Sequence, residues 1–353
     1  MKIIFTGGGT AGHISLNLAL IPIFLNQGHE VHYIGSKTGM EKDLIKDFPN
    51  VTYHEISTGK LRRYFSKENF KDPFRVINGI IESNKIIKKI KPDIVFSKGG
   101  FVSFPVVVGA KINHIPTIIH ESDLSAGLAN KLSFPFCTKI FLTFKDEKNK
   151  FGKKGEYVGG IVRSELKNGN IEKGKKYCNI NNSKPSILVM GGSSGANSIN
   201  QAIWNNIDTL TEKFNIIHIC GKGLINESIK KENYIQFEFV KKELADILAL
   251  CDMVISRAGA NSIFEFLSIN LPMLLIPLPK SQSRGDQIEN AKYFEKKGYC
   301  HVMMDEELDS NKFIDKIYET YSSIDKIKNN MKKQKELGNI NEMVNKIISL
   351  TKK

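Results

Sequence analysis

The sequence predicts an α/β protein built as two Rossmann-like domains facing each other across a cleft. Strand-like and helix-like runs alternate through the first half. Near residue 185 the same opening of strand, glycine loop and helix begins again. Between the halves lies a polar, Lys- and Asn-rich stretch, 164–184, with the texture of a linker. Alternating βα units imply a parallel sheet covered on both faces. With 353 residues, 41% of them hydrophobic, the chain has material for two cores. The expected domains are 1–163, the linker region 164–184, 185–335, and a C-terminal helix, 336–353, able to pack back on the first domain.

The elements follow in order. "KIIF" is a short buried strand. "FTGGGTAGH", Phe5 to His13, is a glycine turn, and "ISLNLALIPIFLNQG" is the helix after it. "EVHYIGS", "VTYHEI", "DIVFSKG", "TIIHES" and "KIFLTF" are further strands, with helical patterns such as "PFRVINGIIESNKIIKKI" between them. The second half opens with the strand "SILVM", the loop "GGSSGAN", the helix "SINQAIWNNIDTLTEKF" and the strand "NIIHIC". The apolar runs "CDMVI" and "LPMLLIPLP" and a Lys-rich helical tail complete it.

Charge is uneven. The net charge is +14; residues 1–163 carry 24 Lys and Arg against 14 Asp and Glu, the remainder 27 against 23. A basic first half suits an anionic partner such as lipid or a phosphorylated substrate, and no nucleic-acid motif accompanies it. Five scattered cysteines without a C-x-x-C suggest reduced thiols rather than a disulfide frame or zinc site. No stretch reaches the ~18 to 20 apolar residues of a membrane span, and "MKIIFTGGG" is too short in apolar residues for a secretory signal. The expectation is a protein that is soluble or rests on a surface.

Glycine turns between strand and helix bring backbone N–H groups to a phosphate. Gly7, Gly9 and Gly12 satisfy G-x-G-x-x-G. A nicotinamide site, however, wants an acidic residue at the end of the second strand, where this chain has Gly35, Ser36 and Lys37. No Walker A run exists. "SRAGANSIFE", Ser256 to Glu265, makes another helix start, with Asn261 and Ser262 as capping types and Glu265 one turn in, able to accept two ribose hydroxyls. The loop Gly191–Ala196 and this one are two phosphate-ready helix starts in the second domain; with that carboxylate they describe a sugar-nucleotide site and leave the first-domain loop to face the acceptor. D-x-D pairs are absent, so the expected leaving-group stabilisation comes from backbone dipoles, with no metal and no other cofactor.

"GGTAGH" at Gly8–His13, "KPDIVFSKGGFVSFP" at Lys91–Pro105, "HESDLSAGLANK" at His120–Lys131, "GGSSGAN" at Gly191–Asn197, "SRAGANSIFE" and "DQIENA" at Asp286–Ala291 follow one another in order. Together they resemble the MurG family of UDP-N-acetylglucosamine transferases over nearly the whole chain. The resemblance implies an inverting, metal-independent GT-B enzyme. It would carry GlcNAc from UDP-GlcNAc to the 4-hydroxyl of MurNAc in undecaprenyl-linked lipid I, forming lipid II for peptidoglycan at the cytoplasmic face of the membrane.

By the same resemblance, Thr10, Ala11 and Gly12 contact the donor from the first loop. Asp123 stands where the family has an asparagine, and Arg163 matches the arginine of the interdomain strand end. Ser193 matches the second-loop serine and Val240 a backbone contact to uracil. Ala260, Asn261, Ser262, Ile263, Phe264 and Glu265 match the ribose and diphosphate helix, and Gln287 the glutamine that reaches the sugar. Three departures stand out: Asp123, Phe104 in place of a small glycine, and Ser194 in place of a glutamine. Two of them, Asp123 and Phe104, concern acceptor geometry.

His13, after the glycine turn, is the candidate general base or a hydrogen-bond donor to the donor's phosphates; a helix start favours the neutral imidazole. Glu121 is the competing base. Lys60–Lys98 holds eleven Lys and Arg, four Asp and Glu, and Phe65, Phe70, Phe74, Ile77, Ile80 and Ile81 interleaved. It suits an anionic membrane surface, with the isoleucines expected inside and the phenylalanines and lysines outside. The alternatives are a paralogue acting on another lipid, a UDP-GlcNAc 2-epimerase, and a non-catalytic sugar-nucleotide-binding subunit.

Overall fold

The computed structural model describes residues 1–59, 68–192, 195–308 and 312–351. The chain divides into two compact units, 1–161 with 338–353, and 162–337. In the first unit, strands β1 (Lys2–Thr6), β2 (Glu30–Ser36), β3 (Val51–Ile56), β4 (Ile94–Ser97), β5 (Thr117–Glu121), β6 (Lys139–Leu142) and β7 (Gly155–Tyr157) form one sheet in the order β3-β2-β1-β4-β5-β6-β7. Every pairing is parallel. Both faces are covered, as a parallel sheet requires. Along β1 the period of two sends Ile3 and Phe5 into one apolar cluster and Ile4 into another. Phe5 packs edge-on against Phe24 and Phe96.

The second unit repeats the plan. Strands β8 (Ser186–Met190), β9 (Asn215–Ile219), β10 (Tyr234–Phe237), β11 (Met253–Ser256), β12 (Met273–Leu275) and β13 (Cys300–Val302) lie parallel in the order β10-β9-β8-β11-β12-β13. In each unit the order reverses direction beside the first strand, and ligands of such sheets bind outside the carboxyl ends at that switch point. There stand the loops after β1 and β4 in one unit, and after β8 and β11 in the other.

Residues 164–184, read from the sequence as a linker region, carry the turn Ser164–Asn168 and the helix Ile171–Tyr177 within the second unit. Asn170 caps that helix through Lys173 N–H at 3.0 Å. The helix Ile340–Ser349 lies in the first unit, with Met343, Val344 and Ile347 in the core beside Phe5 and Phe24. The run expected as one helix over 198–214 is two, Asn197–Asn205 and Ile207–Lys213. Asn206 breaks it by turning its side chain back onto the Ala202 carbonyl at 2.8 Å. All five cysteines are buried and free.

Helix Glu68–Ile90 corrects the expected facing of its isoleucines. Ile77 and Ile81 are exposed with Phe70 and Phe74, because positions 70, 74, 77 and 81 share one helical stripe. The inner stripe is Gly79, Ser83 and Ile87; Gly79 and Ser83 are small enough for close approach to helix Ser103–Ile112, and the Ser83 hydroxyl donates to the Pro105 carbonyl at 2.9 Å. Phe65 and the rest of 60–67 lie outside the described residues.

Candidate functional site

In the first unit, β1 runs into Gly7–Gly9, then a 3-10 turn Ala11–His13, then helix Ser15–Asn26. His13 therefore ends a separate turn ahead of the helix rather than lying in its first turn, with its N–H on the Thr10 carbonyl at 3.0 Å. Thr10 is exposed; Gly12 and His13 are half-buried. Gly9 needs its freedom: φ is 89°, and a Cβ there would lie 2.4 Å from the Phe101 ring. Tyr33 hydroxyl donates to the Gly7 carbonyl at 2.6 Å and Asn17 Nδ2 to the Thr6 carbonyl at 3.1 Å.

Beneath the turn lies Glu41, fully buried. Its carboxylate accepts from Ser36 N–H at 3.0 Å, Ser36 hydroxyl at 2.5 Å and Gly9 N–H at 3.3 Å. A Cβ on Gly8 would lie 2.6 Å from its carboxyl carbon. The Gly9 N–H is thus spoken for, and the turn rests on the Glu41 carboxyl group.

The loop after β5 is organised by Glu121. One oxygen accepts from Ser122 N–H at 2.9 Å and Asp123 N–H at 3.1 Å; the other accepts from Gly127 N–H and Asn130 Nδ2, both at 2.9 Å. Four donors occupy the two oxygens, the arrangement of a residue that holds a loop rather than one that receives a proton. Asp123 is half-buried in that loop. Phe104 meets Phe136 edge-on, with ring centroids 6.2 Å apart.

In the second unit β11 runs through Arg257–Gly259 into helix Ala260–Ser268. The cap is Gly259, extended and without a side-chain cap bond; the expected caps Asn261 and Ser262 instead sit inside the first turn. Gly259, having no side chain, offers no capping oxygen to the first turn of this helix. Ile263 and Phe264 are buried, Phe264 against the Phe294 ring, so they offer a ligand backbone only. Asn261, Ser262 and Glu265 are half-buried.

Arg163 Nη2 bonds Glu265 Oε1 at 3.0 Å, which brings those two expected residues together. Burial pushes the Glu265 carboxyl above its ordinary range, and the guanidinium only partly opposes that. Gln287, at the start of helix Asp286–Lys296, accepts from Leu278 N–H at 3.0 Å through Oε1, leaving its NH₂ for a ligand. Val240 is buried, and among the described residues its N–H and C=O take no backbone partner. Ser193 lies outside the described residues.

Sequence reasoning missed the supports. Arg257 is buried and bonds the carbonyls of Ile276 at 3.2 Å and Pro277 at 3.4 Å, the Ser198 hydroxyl at 2.8 Å, and Asp305. It pins the loop before helix Ala260–Ser268 to three other elements. The arginine beside "AGA" was the available signal; Asp305, 48 residues on, gave none.

The glycosyltransferase family 28 N-terminal domain model matches residues 3–142, and its C-terminal domain model matches 186–346. A Clostridium tetani protein named UDP-N-acetylglucosamine--N-acetylmuramyl-(pentapeptide) pyrophosphoryl-undecaprenol N-acetylglucosamine transferase is 53% identical, covering 98% of this chain and 97% of its own. A Geobacillus kaustophilus protein of the same name is 53% identical over 94% of each. Among solved structures, Acinetobacter baumannii MurG is similar with a TM-score of 0.77 at 22% identity, and a calicheamicin glycosyltransferase with 0.74 at 10%, each over 99% of this chain and at least 98% of its own.

Proposed function

The chain belongs to the MurG family of glycosyltransferase family 28, and we infer its reaction from that membership. It is a UDP-N-acetylglucosamine-dependent transferase that moves GlcNAc onto the MurNAc of lipid I to make lipid II. We further propose an inverting single displacement. The 4-hydroxyl oxygen of MurNAc attacks the anomeric carbon, the bond from that carbon to the UDP oxygen breaks, and UDP departs with the electron pair. His13 takes the hydroxyl proton, a role worth about 10² to 10⁴ in rate. Glu121, saturated by four N–H donors, holds the loop that carries Asp123.

The observation that carries the donor assignment is the second unit's helix start at Gly259 beside the Arg163–Glu265 pair. Its N–H groups stabilise the diphosphate as charge builds on the leaving oxygen. Glu265 accepts from the ribose hydroxyls, Val240 meets uracil through its backbone, and Gln287 NH₂ reaches the sugar. Ser193, Thr10, Ala11, Gly12 and Asp123 complete the proposed UDP-GlcNAc contacts.

No helix among the described residues is long and apolar enough to cross a membrane. We propose peripheral attachment to the cytoplasmic face through helix Glu68–Ile90. There Phe70 and Phe74 are 69% and 71% exposed beside Ile77 and Ile81, a contiguous apolar stripe on a basic segment. Turnover of UDP-GlcNAc with a short-chain lipid I analogue tests the reaction. Hydrolysis or epimerisation without transfer to the analogue would overturn it.

A further inference from the structure

Lys98 is a buried cation that the transfer steps leave unused. Lys98 follows β4 directly, its N–H continuing the ladder to the Thr6 carbonyl at 2.9 Å. Its side chain is almost wholly buried. The ammonium bonds His120 Nδ1 at 3.1 Å and the Ser122 hydroxyl. Two acceptors serve three N–H donors, and among the described residues no carboxylate comes within ion-pair distance.

The surroundings are equally unsettled. Among the described residues, His120 Nε2 and Asn130 Oδ1 are buried and find no hydrogen-bond partner. Burial and the neighbouring ammonium hold the His120 ring well below its ordinary pKa, so it is neutral and accepts at Nδ1. Burial brings Lys98 down to about 8, against the longer-range attraction of Glu121 and Asp123. A buried ammonium bonded only to neutral groups costs stability, and an apolar side chain of similar length would fill the space without that cost.

Position explains its presence. A Cβ on Gly7 would lie 3.1 Å from Lys98 Cβ, so the stem runs under the glycine turn; the head reaches the segment that carries Asp123. We propose that Lys98 is a positioning residue for the transfer, its ammonium tying the Ser122–Asp123 loop to the base of the glycine turn. Lys98 itself touches neither substrate. The proposal rests on the reading of this unit as the acceptor side.

The tie is strongest while Nζ is charged; the neutral amine keeps two N–H donors, but only uncharged and weaker ones. The titratable groups that act on it are His120, Glu121 and Asp123, all from β5 and the loop after it. Deprotonation with rising pH loosens the loop, giving an alkaline limb near pH 8 in kcat/KM for the acceptor.

The test is Lys98→Met, with amide exchange read alongside kinetics. Expected are a thermal midpoint unchanged or raised and unchanged UDP affinity by calorimetry. Exchange at Ser122, Asp123 and Gly127 should be faster by about tenfold, with a similar fall in kcat/KM for a short-chain lipid I analogue and loss of the alkaline limb. Wild-type exchange, or wild-type acceptor kcat/KM and pH profile, overturns the proposal. So does a lowered midpoint with UDP affinity falling in parallel, the mark of a merely structural lysine.

Should Lys98→Met not fold, Ser122→Ala decides the matter by the same exchange and pH readouts: faster exchange at Asp123 and a shifted limb support the tie, and unchanged values overturn it. If the wild type transfers no GlcNAc, the reaction reading fails, and the exchange arm still decides whether Lys98 holds the loop.

Discussion

The two units share one strand order around their first strands and hold comparable loops with different buried side chains. After β1, the glycine turn sits on the buried carboxylate of Glu41, which takes the Gly9 N–H. After β11, the loop sits on the buried guanidinium of Arg257, and the helix that follows starts without a side-chain cap. The first turn spends a backbone donor on Glu41, while the second loop is held by a guanidinium already paired with Asp305 and runs into a helix whose N-cap is Gly259. A glycine motif says where backbone can approach a ligand, while the side chains that hold it decide which backbone donors are already spent.

The sharpest way to break this comparison is to ask which unit governs chemistry and which governs donor affinity. His13→Ala should lower kcat by about 10² to 10⁴ with UDP affinity unchanged. His13→Asn separates proton transfer from hydrogen bonding. Near-normal kcat in His13→Asn would move the base elsewhere, and loss of UDP binding would move His13 into the donor site.

Arg257→Ala should be next in size. It strips the partner from Asp305 in a largely buried pair, a loss of about 3–5 kcal/mol in stability of the second unit. UDP affinity should fall with it; calorimetry and chemical denaturation check both. An unaltered denaturation midpoint would show that the loop does not need its guanidinium.

Glu265→Ala should weaken UDP binding at least about tenfold, since charge-assisted bonds are worth about 1.5–3 kcal/mol. Stability should move the other way. Burial raises the folded carboxyl's pKa, so ionisation at neutral pH costs folding energy, and Glu265→Gln should leave the thermal midpoint unchanged or raised. For the same reason, UDP affinity should be lost on acidification at a pH above the ordinary glutamate range. Unchanged affinity in Glu265→Ala would remove the residue from the site.

The smallest expected effect concerns the membrane. Replacing Phe70 and Phe74 by serine should reduce sedimentation with anionic vesicles severalfold at low salt, and raised salt should weaken what remains. A wild type that stays in the supernatant would refute the surface reading.

Local pattern carried much of this into the sequence. The strands ending in glycine turns and the helix start at "AGANSIFE" were legible because apolar period and turn chemistry are short-range signals. Strands β10 and β13 were not, being short and only partly apolar. Neither were the supports: Glu41 lies 32 residues from the Gly9 it holds, and Asp305 107 residues from Ser198. Such pairs have no period and no spacing to read. The facing of Ile77 and Ile81 failed for another reason, since hydrophobicity alone does not say which apolar stripe faces the core when small residues such as Gly79 and Ser83 permit closer packing.

The central claim, that the nucleotide sits on the second unit, is tested most directly by amide exchange with UDP alone, which lacks the sugar. Exchange should slow at residues 259–265 and at Val240, with residues 7–13 unchanged. Protection at 7–13 without protection at 259–265 would contradict it.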